Sequence, residues 1–297
     1  MRLAQIFGGL AAVLLFPNQV LATEPLPQHW VSAGGALSEW VVELGGEARL
    51  VGVDTTSLHP ASLSRLPSIG YQRQLAAEGI LSLQPQLLLG TEEMGPPPVL
   101  AQLKAAGVQV EVLPSTPDLS TLAANLQRIG TLLGEPQRAS ARFDAYRAQL
   151  QRQADWLAQA PQPAPRVLLG VGHAGGSPLA AGRGPAGAWL VEQAGGRNLP
   201  EHEGYKTLST EALLALDPEV LVIADRRLQG DAARDALLAQ NPALAATTAA
   251  RTGRLLTLDP TLLVGGLGPR VPDGLAAMSA AFYPARQPLT AEASPTP

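Results

Sequence analysis

Tyr71 and Arg73 stand two residues apart in Leu66-Pro67-Ser68-Ile69-Gly70-Tyr71-Gln72-Arg73, a stretch whose Pro and Gly mark it as a loop. A phenolate is a hard anionic ligand suited to ferric iron, yet an unperturbed phenol gives up its proton only near pH ~10. A permanent guanidinium cation beside the oxygen favours the ionised form. Taken singly, Tyr71 reads equally as a residue at the rim of a core, and Arg73 as a solvated surface charge.

The other candidates also sit in loops that follow apolar runs. His173 lies in Gly170-Val171-Gly172-His173-Ala174-Gly175-Gly176, where it would face a cleft, although a lone His in a Gly-rich loop is as often structural or exposed. Arg226 and Arg227 follow Ala224-Asp225 and are placed to reach a ligand's carboxylates, with a plain surface role as the alternative for each. Gly182-Arg183-Gly184-Pro185-Ala186-Gly187 imitates a dinucleotide fingerprint but puts Pro where a helix amide must meet phosphate, so its amides and Arg183 read better as contacts for a carboxylate. Tyr205 follows Gly204 and adds a wall to the same pocket, and the loop 91–96 with Met94 adds a rim. No G-x-S-x-G, H-E-x-x-H or P-loop occurs, and His29, His59 and His202 are isolated in the sequence. The absence of Cys removes thiolate chemistry, and a net charge of −4 argues against nucleic-acid or anionic-membrane partners.

Loops of this kind need a frame. Short apolar runs at 30–33, 49–53, 86–89, 108–112, 166–171, 220–224 and 254–258 alternate with helix-like segments, the pattern of βαβ units and parallel sheets. Residues 75–89 align without gaps on 208–222, with Leu75, Glu78, Leu81, Leu83, Pro85 and Leu88 matched by Leu208, Glu211, Leu214, Leu216, Pro218 and Leu221. Each copy predicts a short helix whose Leu residues face a core, a Pro that stops it and a buried strand. Glu43-Leu44-Gly45-Gly46 is echoed by Glu192-Gln193-Ala194-Gly195-Gly196, a helix end capped by Gly. Two lobes of one design follow. Between them, residues 136–159 contain no Gly and no internal Pro, and Ala139, Phe143, Tyr146, Leu150, Gln153 and Leu157 form one face. A helix of that length runs roughly 36 Å and makes a stiff connection.

At the N-terminus, Arg2, an apolar run from Ile6 to Phe16 and the small-residue pattern ending at Ala22 predict a cleaved signal peptide and export. The expected organisation is a signal peptide at 1–22, a first lobe at 23–134, an interlobe helix at 135–160, a second lobe at 161–286 and a disordered tail at 287–297.

With these residues in view, the mature chain resembles the periplasmic substrate-binding proteins of bacterial vitamin B12, siderophore and haem ABC importers. The stretch Val51-Gly52-Val53-Asp54-Thr55-Thr56-Ser57, followed by residues 66–81, is similar to the haem-binding members in particular. The resemblance implies an α/β fold of two Rossmann-like lobes with parallel sheets, joined by a single long backbone helix, with the ligand cleft between them. It implies a non-catalytic, monomeric periplasmic protein that captures ferric haem and delivers it to an inner-membrane permease dimer. Tyr71 would be the axial iron ligand and Arg73 its partner. His173 would be a further haem contact, Arg227 would meet a propionate, and Glu78 and Glu211, one per lobe, would meet arginines of the permease. The alternative reading of each Glu is a first-turn acid favoured by the helix dipole. A siderophore or cobalamin carrier of the same fold is the nearest alternative, and an exported α/β enzyme a more distant one.

Overall fold

The computed structural model describes residues 25–172, 179–184, 186–225, 235, 238–239 and 242–289. The expected signal peptide at 1–22, His173, Arg226, Arg227 and residues 290–297 of the expected tail lie outside the described residues.

The fully buried run Leu87-Leu88-Leu89 marks the centre of the first lobe, since a parallel strand covered on both faces is apolar throughout. Its strands are β1 (Trp30–Ala33), β2 (Leu50–Val53), β3 (Leu87–Thr91) and β4 (Gln109–Leu113), all parallel in the order β2-β1-β3-β4. Helices α1 (Gly35–Glu43), α2 (Ala77–Leu81), α3 (Pro97–Ala105) and α4 (Leu119–Leu133) make the crossovers and the exit. The single helix α5 (Pro136–Leu157) then leads to the second lobe.

There β5 (Arg166–Val171), β9 (Val220–Ala224) and β10 (Leu255–Leu258) are parallel, and β7 (Arg197–Asn198) pairs parallel with the start of β5. The second sheet departs from the all-parallel expectation at its edge. β6 (Leu179–Ala181) runs antiparallel to β5, and β8 (Tyr205–Thr207) antiparallel to β6. The connection from Val171 to Leu179 is too short for a helical crossover, which takes about a dozen residues, so the chain turns back. The described helices of this lobe are α6 (Ala186–Gln193), α7 (Thr210–Leu216), α8 (Thr248–Arg251) and α9 (Val271–Phe282).

The internal repeat is structural. Residues 75–89 and 208–222 each contain a short helix, α2 or α7, followed by a turn and an interior strand. The inward face differs: Ala77 and Ile80 are buried on α2, whereas Leu214 on α7 is 40% exposed, contrary to the expected core-facing Leu set. The second echo is exact in its bonds. Gly45, at φ +83°, and Gly46 donate to Val42 and Val41, and Gly195, at φ +84°, and Gly196 donate to Glu192 and Val191, closing α1 and α6 with the same left-handed cap.

On α5, Ala139, Tyr146 and Gln153 are buried while Phe143, Leu150 and Leu157 are half-buried, so the predicted face is the packed one. It joins the lobes into one apolar cluster that runs from Trp30 to Tyr283. Trp40 lies 5.7 Å from Tyr146, ring to ring, and Gln153 bonds Ser279 on α9.

A polar latch also spans the lobes. Glu39 on α1, only 5% exposed, receives both arms of Arg270 at 3.0 and 2.7 Å. Arg270 also donates to Asp259 at 2.9 Å and to Thr261 at 2.6 Å, and His59 of the first lobe meets Asp259 at 2.9 Å. Trp40 adds a bond from its indole N–H to the Leu267 carbonyl at 2.7 Å. His59, isolated in the sequence, is therefore partnered across the lobes. Burial pushes the Glu39 carboxyl above its ordinary value, and Arg270 only partly offsets this. Burial alone would also raise Asp259, but the Thr261 amide and hydroxyl and Arg270 outweigh it and hold that carboxyl low. Removing one partner of a buried pair strands the other. Arg270→Ala, which leaves the buried Glu39 carboxylate without its cation, is expected to cost about 3 kcal/mol in urea unfolding, and a loss below about 0.5 kcal/mol would mean that the latch carries no net stability.

Candidate functional site

The Tyr71 loop is built from the motif that precedes it. Asp54, Thr56 and Ser57 are buried, and Asp54 accepts from the Gly34 amide at 3.0 Å, the Thr56 amide at 3.1 Å, the Thr56 hydroxyl at 2.8 Å and the Ser57 hydroxyl at 2.8 Å. The Thr56 hydroxyl in turn accepts from the Gly35 amide at 2.9 Å, so the network anchors the start of α1. From this base the backbone pairs outward: Val53 donates to Pro67, Ile69 donates to Val53, and Thr55 donates to Gly70 at 2.9 Å, one residue before Tyr71. On its other side the loop is held at Gly95, which donates to Gln72 at 3.0 Å and accepts from Leu75 at 2.8 Å. Tyr71 is thereby fixed in backbone position while its side chain remains 39% exposed.

Arg73 donates to Glu93 at 2.5 Å, and the Gln72 amide group reaches the same carboxylate at 3.5 Å. The hydrogen bond and charge of Glu93, with a further contribution from Tyr71, hold the Arg73 guanidinium above the ordinary arginine range against the opposing effect of burial. Tyr71, Arg73 and Glu93 thus form one cluster at the end of the first sheet. Its reach extends to the second lobe, because Glu93 acts on Tyr205. Burial is the main cause that raises the Tyr205 phenol, a hydrogen bond from the Gly187 amide opposes it, and the Glu93 charge adds to the rise. The Tyr205 ring is 37% exposed.

Other expected site residues fall elsewhere or serve other ends. Met94 is 4% exposed and packs over Gly90, so it belongs to the core rather than the rim. The rim position is taken by Glu92, which accepts from the Ser115 amide and hydroxyl, and by Glu93. The amides of Gly182 and Arg183 donate to Gly204 and His202, extending the β6–β8 pairing, and the Arg183 side chain meets Glu203 at 3.1 Å. Those two amides are not free for a carboxylate. Glu78 on α2 and Glu211 on α7 are both exposed. The Glu211 carboxyl is held below its ordinary value by its own amide and by Ser209. Sequence reasoning named the 91–96 loop but missed Glu93 as the partner of Arg73. It quoted Asp54-Thr55-Thr56-Ser57 without its bonding, for which the available signal was a run of short hydrogen-bonding side chains directly after a buried strand.

An exposed phenol beside a cation, carried on a loop tied to the sheet by backbone hydrogen bonds, suits a ligand with an electrophilic metal centre. A family model for periplasmic binding proteins matches residues 31–262. Among solved structures, the chain is similar to a periplasmic haem-binding protein from Pseudomonas aeruginosa, with 67% identity, 89% of this chain and 96% of that one covered, and a TM-score of 0.86. It is also similar to the periplasmic haem-binding protein HutB of Vibrio cholerae, with 33% identity, 86% and 99% covered, and a TM-score of 0.76. Among curated proteins, a cobalamin-binding protein of Halobacterium salinarum is 27% identical over 274 residues, covering 90% of this chain and 72% of that protein.

Proposed function

The chain belongs to the periplasmic binding protein family, whose members carry solutes without transforming them, and from that premise we propose that it captures ferric haem in the periplasm and delivers it to an ABC permease. The observation that carries the reading is the exposed Tyr71 phenol beside Arg73, in a chain 67% identical to a solved haem-binding protein. Tyr71 supplies the axial oxygen to iron, a ligand type that haem proteins use. Arg73 stabilises the anionic oxygen, with Glu93 holding its guanidinium in place. His173 and Arg227 complete the site from the second lobe, as a haem contact and a propionate partner. The carrier works as a monomer, with lobes at 23–134 and 161–286 on either side of a connecting segment at 135–160, and reaches the periplasm through a signal peptide cleaved after Ala22.

The ligand is tested by titrating the mature protein with ferric haem, cobalamin and a ferric siderophore in parallel. Saturation by haem alone, with a phenolate-to-iron charge-transfer band, is the expected result; saturation by cobalamin or the siderophore and not by haem would overturn the reading.

Glu78 and Glu211 sit at equivalent positions of the repeat, exposed, one per lobe, and this supports a two-point contact with basic residues of a permease dimer. Reversing both charges, Glu78→Lys with Glu211→Lys, should leave haem affinity unchanged and slow haem uptake by permease-containing vesicles on the order of tenfold. Unchanged uptake would leave the two carboxylates as ordinary first-turn acids.

A further inference from the structure

Residues 259–270 follow β10 and belong to the second lobe by chain order, yet they lie against the first lobe. Gly265 and Gly266 both take φ +85°, a conformation that favours glycine and lets backbone approach backbone. A Cβ at Gly265 or Gly268 would stand 3.4 or 3.2 Å from the Ala36 Cβ on α1, and one at Gly266 would stand 3.3 Å from the Ser115 carbonyl oxygen. Leu267 is buried, and its carbonyl accepts from the Trp40 indole. The latch bonds complete the strap, from Arg270 to Glu39 and from His59 to Asp259. Beside the latch the lobes are not packed solid. A cavity of about 560 Å³ lies between α1, α5 and residues 269–273, with Glu39, Trp40, His59, Tyr146 and Arg270 in its lining.

We propose that this strap and its latch are a conformational device that fixes the angle between the lobes, and that breaking the latch sets the rate of ligand release. The release rate rests on the haem reading above, whereas the lobe angle does not. Packed apolar surfaces resist relative motion because a shift forfeits close contacts. Next to a cavity that resistance is missing on one side, so directional polar bonds carry the hold there. The latch suits this work, since two arms of one guanidinium clasp one carboxylate and fix its orientation as well as its distance. Asp259 and Thr261 tie Arg270 to the second lobe, and Glu39 is buried on α1, so the clasp joins two fixed elements rather than two loose side chains. The strap also reaches the candidate site. Ser115, against which Gly266 packs, donates its amide and hydroxyl to Glu92 at 3.0 and 2.9 Å, and the adjacent Glu93 holds Arg73. A change in lobe angle therefore passes to the Tyr71 loop through direct contacts.

The test exploits the absence of Cys from the chain. Ala105→Cys on α3 and Ala215→Cys on α7, exposed positions one per lobe, carry spin labels, and pulsed electron paramagnetic resonance reads the distance between them. The labelled parent is expected to give a narrow distance distribution. Glu39→Gln removes the charge and keeps the size, and Trp40→Phe removes the indole donor and keeps a ring against Tyr146; both should broaden the distribution. Haem release, measured as transfer to an excess of a scavenger protein, should quicken about tenfold in Glu39→Gln and about threefold in Trp40→Phe, because weakening a buried charge pair acts mainly on the off-rate. The phenolate-to-iron band should not change, which separates the latch from iron ligation. Arg147→Ala, which breaks an exposed pair with Asp144 within α5, should alter neither the distances nor the release rate. Glu39 and Trp40 variants that keep the parent's distance distribution would overturn the proposal, and so would broadened distributions with the parent's release rate. A parent protein that binds no haem would overturn the functional reading instead, and the distance distributions would still decide whether the latch fixes the lobes.

Discussion

Tyr71→Phe is expected to weaken ferric haem binding roughly 100-fold and to abolish the phenolate-to-iron band, while the fold survives. The substitution removes one oxygen from a side chain that is 39% exposed, so no buried group is left unsatisfied and no cavity opens. What disappears is the iron's only proposed anionic ligand from the protein. Arg73→Ala acts on the same bond indirectly. It leaves the oxygen in place but removes the cation that favours its ionised form, and outer partners of a metal ligand are typically worth about 10- to 100-fold. The Arg73 variant should therefore bind roughly tenfold more weakly and keep a diminished band. Equilibrium titration of the two variants separates the roles. A band that survives in Tyr71→Phe would mean that another tyrosine's phenolate ligates the iron, and a parent complex without the band would mean that the iron is ligated by a different group, with His173 the first candidate.

Asp54→Ala is expected to cause the largest loss of stability. Its carboxylate is the common acceptor for two amides and two hydroxyls, all inside the first lobe. Each buried donor left without a partner costs about 1–3 kcal/mol, and the hydroxyls can recover part of this by turning to other acceptors. A total of about 4 kcal/mol is a large share of the roughly 5–15 kcal/mol that holds a typical domain folded. Calorimetry should show a fall in Tm of about 10 °C. Asp54→Asn, which keeps one acceptor oxygen and turns a donor toward the Thr56 amide, should fall between. Because Thr55 ties the network to Gly70, the same variants should release haem faster than the parent even below their melting transitions. A variant with unchanged Tm would show that the network is dispensable and that the Tyr71 loop is held from the Gly95 side alone.

These two residues also show what the sequence made legible. Strands such as Leu87–Thr91 and Val220–Ala224 were readable because parallel strands covered on both faces are apolar without interruption. The repeat was readable because its two copies align without gaps, and α5 because its apolar face recurs at helical spacing from Ala139 to Leu157. Tyr71 stood out through its loop and its neighbour Arg73. Partnerships between distant residues were not readable: nothing near Glu39 announces Arg270, and nothing near Arg73 announces Glu93, because ion pairs are set by how sheets and helices stack rather than by local pattern. The antiparallel edge at β6 and β8 was missed for a related reason, since short strands carry too few residues to display a direction. Leu214 and Met94 were misplaced because an apolar type does not say which way a short helix or loop is rotated.

The account turns on the bond between the Tyr71 oxygen and iron. Resonance Raman spectroscopy of the ferric haem complex, excited within the charge-transfer band, reads that bond directly. Tyrosinate ring and iron–oxygen modes that shift when the protein is made with ring-deuterated tyrosine, and that vanish in Tyr71→Phe, are the predicted result. A complex lacking those modes, or a low-spin histidine-ligated spectrum unchanged by the substitution, would contradict it.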